Sequence, residues 1–171
     1  MFTGYKVTVS DGDNVKTETP AKEATSVEFT GLTPGTEYII IVVTLNDQDE
    51  SSTLTDTVFT LPSSPSALEM ETRTADALTV KWTAPNSEMF TGYKVTVAEG
   101  DNVKTKTPAK DVTSVVITEL TAGTEYSVAV VTVNGQDESS ILTGTYSTCE
   151  QYFVYVVTVY LLIALIYTCV Y

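Results

Sequence analysis

The chain has 171 residues, 22 acidic and 9 basic, giving a formal charge of −13 and a pI near 4.1. That balance argues against nucleic acid as a partner, because a polyanion is held by a basic face that displaces its counterions. Histidine is absent, which removes the Ser-His-Asp and Cys-His catalytic pairs and the usual catalytic zinc sites. Two cysteines are too few for a disulfide scaffold, while 43% hydrophobic residues against 18% charged ones are enough to bury a core.

The chain repeats itself. Met1-Phe-Thr-Gly-Tyr-Lys-Val-Thr-Val9 recurs letter for letter as Met89-Phe-Thr-Gly-Tyr-Lys-Val-Thr-Val97, and 42 of 60 positions match without a gap through Thr60 and Thr148. The unit is therefore about 88 residues long, and residues 1–61 correspond to its last two-thirds. The first copy has no counterparts of Leu68, Leu78, Val80 and Trp82. The chain is thus expected to begin inside a unit, with a weakly stable first copy whose inner face and sheet edge are prone to pair with another chain. In that copy Tyr38, Ile40 and Val42 alternate with Ile39, Ile41 and Val43, two faces of one strand. The join Leu61-Pro-Ser-Ser-Pro65 is short and proline-punctuated, which favours an extended link between the copies.

Residues 62–149 hold a complete unit. Leu78, Val80 and Trp82 alternate with Thr79 and Lys81; Tyr93, Val95 and Val97 with Lys94 and Thr96; Val115 and Ile117 flank Val116; Tyr126, Val128 and Val130 alternate with Ser127 and Ala129. A period of two marks strands with one buried face. Turn-forming clusters separate the runs at Ala84-Pro-Asn-Ser87, Glu99-Gly-Asp-Asn102, Thr121-Ala-Gly-Thr124 and Asn134-Gly-Gln-Asp137. Short strands at this spacing predict an all-β antiparallel sandwich.

Four features in order make this unit resemble a fibronectin type III domain: Pro65 with Leu68, Leu78-Thr-Val-Lys-Trp82, Gly92-Tyr-Lys-Val-Thr-Val97, and Leu120-Thr-Ala-Gly-Thr-Glu-Tyr126 running into Val128 and Val130. The resemblance covers residues 62–148 in full and 1–61 in part, as strands C to G. It implies a tandem pair of immunoglobulin-like sandwiches whose cores centre on Trp82, Tyr93, Leu120 and Tyr126, and on Tyr5, Leu32 and Tyr38 in the first copy. Trp82 is then the central aromatic on strand B, and Tyr126 and Tyr38 are corner tyrosines bonding back to the preceding turn. With strands A and B missing, only strand E is expected to cover the inner face of the first copy.

After Glu150 the chain changes character. Residues 152–171 are 20 uncharged, mostly apolar residues, long enough as a helix (about 30 Å) to cross a bilayer. A membrane-spanning helix is the expectation, although the run is rich in β-branched and aromatic residues and no Lys or Arg follows it. Foreign sequence appended to a shortened gene product is the alternative. Cys149 and Cys169 flank the run, so a spanning helix would keep them apart.

The candidate contact loop is Asn134, Gln136, Asp137 and Glu138, between strands F and G, where some fibronectin type III domains carry an integrin-binding tripeptide; no Arg-Gly-Asp occurs here. An acidic loop suits a basic protein partner, and a solvated turn is the plainer reading. Asp11-Gly-Asp13 and Glu99-Gly-Asp101 bring carboxylates together, but a calcium site needs six or more oxygens and a longer loop. No cofactor is expected, and no catalysis, since these carboxylates sit on turns of a small sandwich with no pocket to desolvate them. Ile39, Ile41 and Val43 form either a docking patch or a face covered by neighbouring side chains. The resemblance implies a cell-surface spacer and protein-binding module in adhesion or signalling, anchored through residues 152–171 with the repeats outside. Its alternatives are the ectodomain of a receptor-type tyrosine phosphatase or similar receptor enzyme, and a cytosol-facing tail-anchored protein.

Overall fold

The computed structural model describes residues 2–46, 49–86, 89–156 and 162–168, and every regular element in them is a strand. The backbone divides into unit 1, Met1–Pro62, and unit 2, Ser63–Tyr171.

Unit 1 is one antiparallel sheet of β1 (Gly4–Ser10), β2 (Val15–Glu18), β3 (Glu37–Asn46), β4 (Asp49–Glu50) and β5 (Leu54–Phe59). Its order is β2-β1-β3, with β4 and β5 both paired to β3. The pairs Val7↔Val42, Val9↔Ile40, Val42↔Leu54 and Tyr38↔Val58 gather the apolar alternation onto one face, because directly opposed residues share a side. Between β1 and β2 the Asp11 carboxylate accepts the backbone N–H groups of Asp13 and Asn14, at 3.2 and 2.7 Å, and the Asn14 side-chain amide. Gly12 (φ +98°) supplies the left-handed turn.

Unit 2 closes two sheets over a core. β6 (Ser66–Arg73), β7 (Leu78–Thr83) and β10 (Ser114–Ile117) form the sheet β10-β7-β6. β8 (Gly92–Glu99), β9 (Asn102–Lys106), β11 (Glu125–Asn134), β12 (Asp137–Glu138) and β13 (Leu142–Ser147) form the second, ordered β12-β11-β8-β9 with β13 also on β11. Leu78, Val80 and Trp82 from the first sheet meet Tyr93, Val95, Val97, Val128 and Val130 from the second in one buried cluster. Trp82 is 4% exposed and packs edge-on against Tyr93, ring centroids 5.0 Å apart. Gly92 is required by close approach: a Cβ there would lie 2.8 Å from the Pro108 carbonyl oxygen, which accepts the Tyr93 N–H. Gly4 stands in the same relation to Pro20.

The units differ where the sequence lacks a partner. In unit 2 β10 pairs with β7 alone, from Ser114↔Lys81 to Ile117↔Leu78. Residues 26–29, its counterpart in unit 1, form no strand. The expectation that strand E covers the inner face of the first copy is thus corrected: a strand is defined by its ladder, and nothing among the described residues of unit 1 offers these amides one.

The helix expected over residues 152–171 is corrected as well. β14 (Glu150–Val156) and β15 (Leu162–Thr168) pair antiparallel, from Glu150↔Thr168 to Val156↔Leu162; the rest of the run lies outside the described residues. No helix among the described residues is long and apolar enough to cross a membrane. Run length does not distinguish helix from strand, whereas Val154, Val156, Ile163, Ile166 and Thr168, with Tyr152, Phe153, Tyr155 and Tyr167, favour a pleated backbone. Cys149 is disulfide-bonded, so it is not the unpaired thiol that a spanning helix would leave.

Candidate functional site

The candidate loop is the turn between β11 and β12. Asn134↔Asp137 and Val133↔Glu138 pair across it, leaving Gly135 (φ +63°) and Gln136 at the tip. Two side chains anchor its base. Lys94 on β8 reaches Glu138 at 2.8 Å, and Ser139 Oγ accepts the Thr132 N–H at 3.0 Å. Of the four candidate residues, Gln136 is exposed, Asn134 and Asp137 are half-buried, and Glu138 is exposed but engaged by Lys94. Unit 1 repeats the device: Asn46↔Asp49, Lys6 to Glu50 at 2.8 Å, and the Thr44 N–H to Ser51 Oγ at 3.0 Å. Residues 47–48, at the tip there, lie outside the described residues. Exposed ion pairs contribute about 0–1 kcal/mol each, so these lysines orient the turn more than they stabilise the unit.

The remaining sequence-predicted residues are structural in their surroundings. Tyr126 and Tyr38 are buried, and their phenol oxygens accept the backbone N–H groups of Thr121 and Thr33, each at 2.9 Å. Leu120 is buried in unit 2, whereas Leu32 and Tyr5 are only half-buried in unit 1. Burial raises the Tyr93 phenol above its ordinary range, the nearby Trp82 indole pulling the other way. Tyr93 Oη and Trp82 Nε1 are both buried, and neither meets hydrogen-bond geometry with a partner among the described residues. Burial also raises Tyr146, with a smaller contribution from Glu69. The Asp11 carboxyl is held below its usual range, first by the Asn14 backbone N–H and then by the Asn14 side-chain amide. That carboxylate is occupied in closing a turn, and no cluster of three or more potential metal ligands occurs among the described residues. On the outer face of β3, Ile39 is exposed, Ile41 half-buried and Val43 buried, so the apolar patch considered there narrows to Ile39 and part of Ile41. The ion pairs from Lys6 and Lys94 link strands 44 residues apart in sequence, which no local pattern reveals.

A family profile described as "Fibronectin type III domain" matches residues 1–57 and 63–145. The chain belongs to the fibronectin type III family. It carries two repeats, and repeats of this family are typical of extracellular adhesion proteins and are generally non-catalytic binding modules. The chain is 33% identical to mouse tenascin over 135 residues, covering 77% of this chain and 6% of that protein. Chicken receptor-type tyrosine-protein phosphatase eta is 26% identical over 140 residues, 80% of this chain and 10% of that protein. The chain therefore spans less than a tenth of mouse tenascin's length. Among solved structures, a two-domain fibronectin type III segment of chicken tenascin superposes with a TM-score of 0.60 at 26% identity, covering 86% of each chain. As fibronectin type III repeats, the two units carry their acidic residues evenly, 10 in residues 1–62 and 12 in residues 63–171, against 3 and 6 basic ones. A partner approaching either repeat meets a negative field.

Proposed function

We propose that this chain is a non-catalytic, extracellular spacer and protein-binding segment of a cell-adhesion or signalling protein, and that its anchored, acidic β11–β12 turn and the equivalent turn of unit 1 contact a basic protein surface. The observation that carries this reading is the tandem family match, joined to a turn held rigidly at its base and exposed at its tip. Exposed loops on a stiff sandwich are where such modules place recognition. Charge complementarity of this sign speeds encounter and is screened by salt.

The test is adhesion of cells to surfaces coated with the whole chain. Gln48, Asp49, Gln136 and Asp137 changed together to alanine should lower adhesion at least tenfold, and raising salt should lower it for the natural chain only. Adhesion that is equal for both chains removes the turns from the reading. A second reading, the outer segment of a receptor enzyme, is favoured by the similarity to chicken receptor-type tyrosine-protein phosphatase eta. A catalytic domain encoded downstream in the same transcript decides for it. Protease shaving of intact cells that express the source protein removes the repeats if they are extracellular and spares them if they face the cytosol.

A further inference from the structure

The segment after Cys149 belongs to neither sheet of the sandwich. β14 and β15 pair with each other from Glu150↔Thr168 to Val156↔Leu162 and, among the described residues, with no other strand. Each therefore leaves one edge of backbone N–H and C=O groups without a ladder. The root of the hairpin is fixed to unit 2. The Cys149 N–H donates to the Thr74 carbonyl at 2.8 Å, and the Gly123 N–H donates to the Cys149 carbonyl at 2.9 Å. Cys149 is buried, whereas Glu150 and Gln151 are exposed.

The letters of the hairpin differ in kind from those of the sandwich. Leu78, Val80 and Trp82 alternate with Thr79 and Lys81, whereas Tyr152-Phe-Val-Tyr-Val156 and Leu162-Ile-Ala-Leu-Ile-Tyr167 are apolar or aromatic at every position. A strand that reads this way suits burial on both sides of the pleat. A lone two-stranded hairpin is marginal in water, and further strands are what make such a sheet stable. Hydrocarbon does not supply them. At 7 residues each, the strands fall short of the about 9–11 that a tilted strand needs to cross a bilayer, and open edges would leave polar backbone groups unpaired in lipid.

We propose that the β14–β15 hairpin is a homodimerisation element: the free edge of β15 pairs antiparallel with the same edge of a second copy of this chain, about a two-fold axis, giving a four-stranded sheet ordered β14-β15-β15-β14. Full overlap of Leu162–Thr168 with itself sets Leu165 opposite Leu165 of the second copy, at the axis. Charge selects this edge and this occupant. β15 carries no charged residue, so two chains of net charge −13 meet there without setting carboxylates against one another, whereas β14 opens with Glu150, a charge of the kind that guards a sheet edge. A contact that is self-complementary about a two-fold axis closes at two copies.

The experiment is sedimentation of the whole chain over a range of concentrations without detergent, with amide hydrogen exchange locating the contact. A species of twice the 18.5 kDa chain mass is expected. Exchange at residues 162–168 should slow at least tenfold as it forms, with residues 92–99 unchanged. Raising salt should tighten the dimer, because it screens the repulsion between two acidic bodies while the seam itself is uncharged. The acidic turns respond to salt in the opposite sense, so failure of either proposal is distinguishable from failure of the other. Leu165→Lys and Leu165→Glu each set like charges face to face across the axis and should weaken dimerisation at least tenfold; an equimolar mixture of the two variants should restore it, since opposite charges then meet. Unchanged exchange at residues 92–99 shows that unit 2 is folded in both variants. A monomer at every concentration, a dimer that salt weakens, a dimer indifferent to the Leu165 variants, or variants that mixing does not rescue overturns the β15 seam. A dimer that survives denaturation and yields only to a thiol reductant is a disulfide between chains and overturns it as well. Protection of residues 162–168 that appears only on phosphatidylcholine vesicles overturns the second copy as the occupant.

Discussion

Replacing Trp82 separates two contributions that the structure places on one side chain. The indole is almost wholly buried between the sheets of unit 2, edge-on to Tyr93, and its Nε1 finds no hydrogen-bond acceptor among the described residues. Trp82→Ala deletes the whole ring and should cost about 3–5 kcal/mol, the range for truncating a buried large aromatic. Trp82→Phe is the sharper probe. It removes two ring carbons, a loss of about 1.6 kcal/mol at ~0.8 kcal/mol each. It also removes a buried, unsatisfied N–H whose desolvation costs about 1–3 kcal/mol. The two nearly cancel, so Trp82→Phe should lie within about 1 kcal/mol of the natural chain. Urea unfolding of the full chain, read by hydrogen exchange at residues 92–99, reports unit 2 alone. Trp82 is the chain's single tryptophan, so its emission in the natural protein reports the same core. A Phe variant as unstable as the Ala variant would refute the unpaired indole, and native emission typical of a water-exposed indole would refute the packing itself.

Tyr126→Phe should cost about 1–3 kcal/mol in the same assay, because it strands the Thr121 N–H that now bonds to the phenol oxygen; a change below a few tenths removes the corner's role. Gly92→Ala should lower the thermal midpoint of unit 2 by an amount equivalent to about 1–3 kcal/mol, since its Cβ meets a backbone oxygen that cannot rotate away, while Gly100→Ala, with open space around it, is strained only by its φ of +54°. Alkaline stability follows from Tyr93 and Tyr146, both raised above the ordinary value of 10.0 by burial. Above that value the unfolded chain has released protons that the folded unit still holds, so stability is full below pH 10 and falls as pH climbs through the folded values. Denaturation of unit 2 measured between pH 9 and 12 should show this slope, and Tyr93→Phe should flatten it; an unchanged slope assigns it elsewhere.

The repeat, the strands and their buried faces were legible in the residues themselves, because a strand alternates its side chains and Leu78, Val80 and Trp82 write that alternation directly. The turn at Asn134 was legible too, since Gly135 can adopt the left-handed backbone it needs. Three matters were decided only in three dimensions. Residues 26–29 share with β10 only the opening Ser-Val and form no strand, and a ladder needs a partner that β7 supplies in one unit and nothing among the described residues supplies in the other. The apolar run after Glu150 satisfies the length of a spanning helix, yet Glu150–Val156 and Leu162–Thr168 pair with each other, a choice made by contacts between segments that no count of apolar residues contains. The anchoring of Glu138 by Lys94 depends on β8 lying beside β11, a neighbourhood set by sheet order rather than by chain distance. Local periodicity follows from the geometry of a single strand and can be read from one segment; pairing, burial and charge partners belong to two segments at once and exist only when the chain has folded.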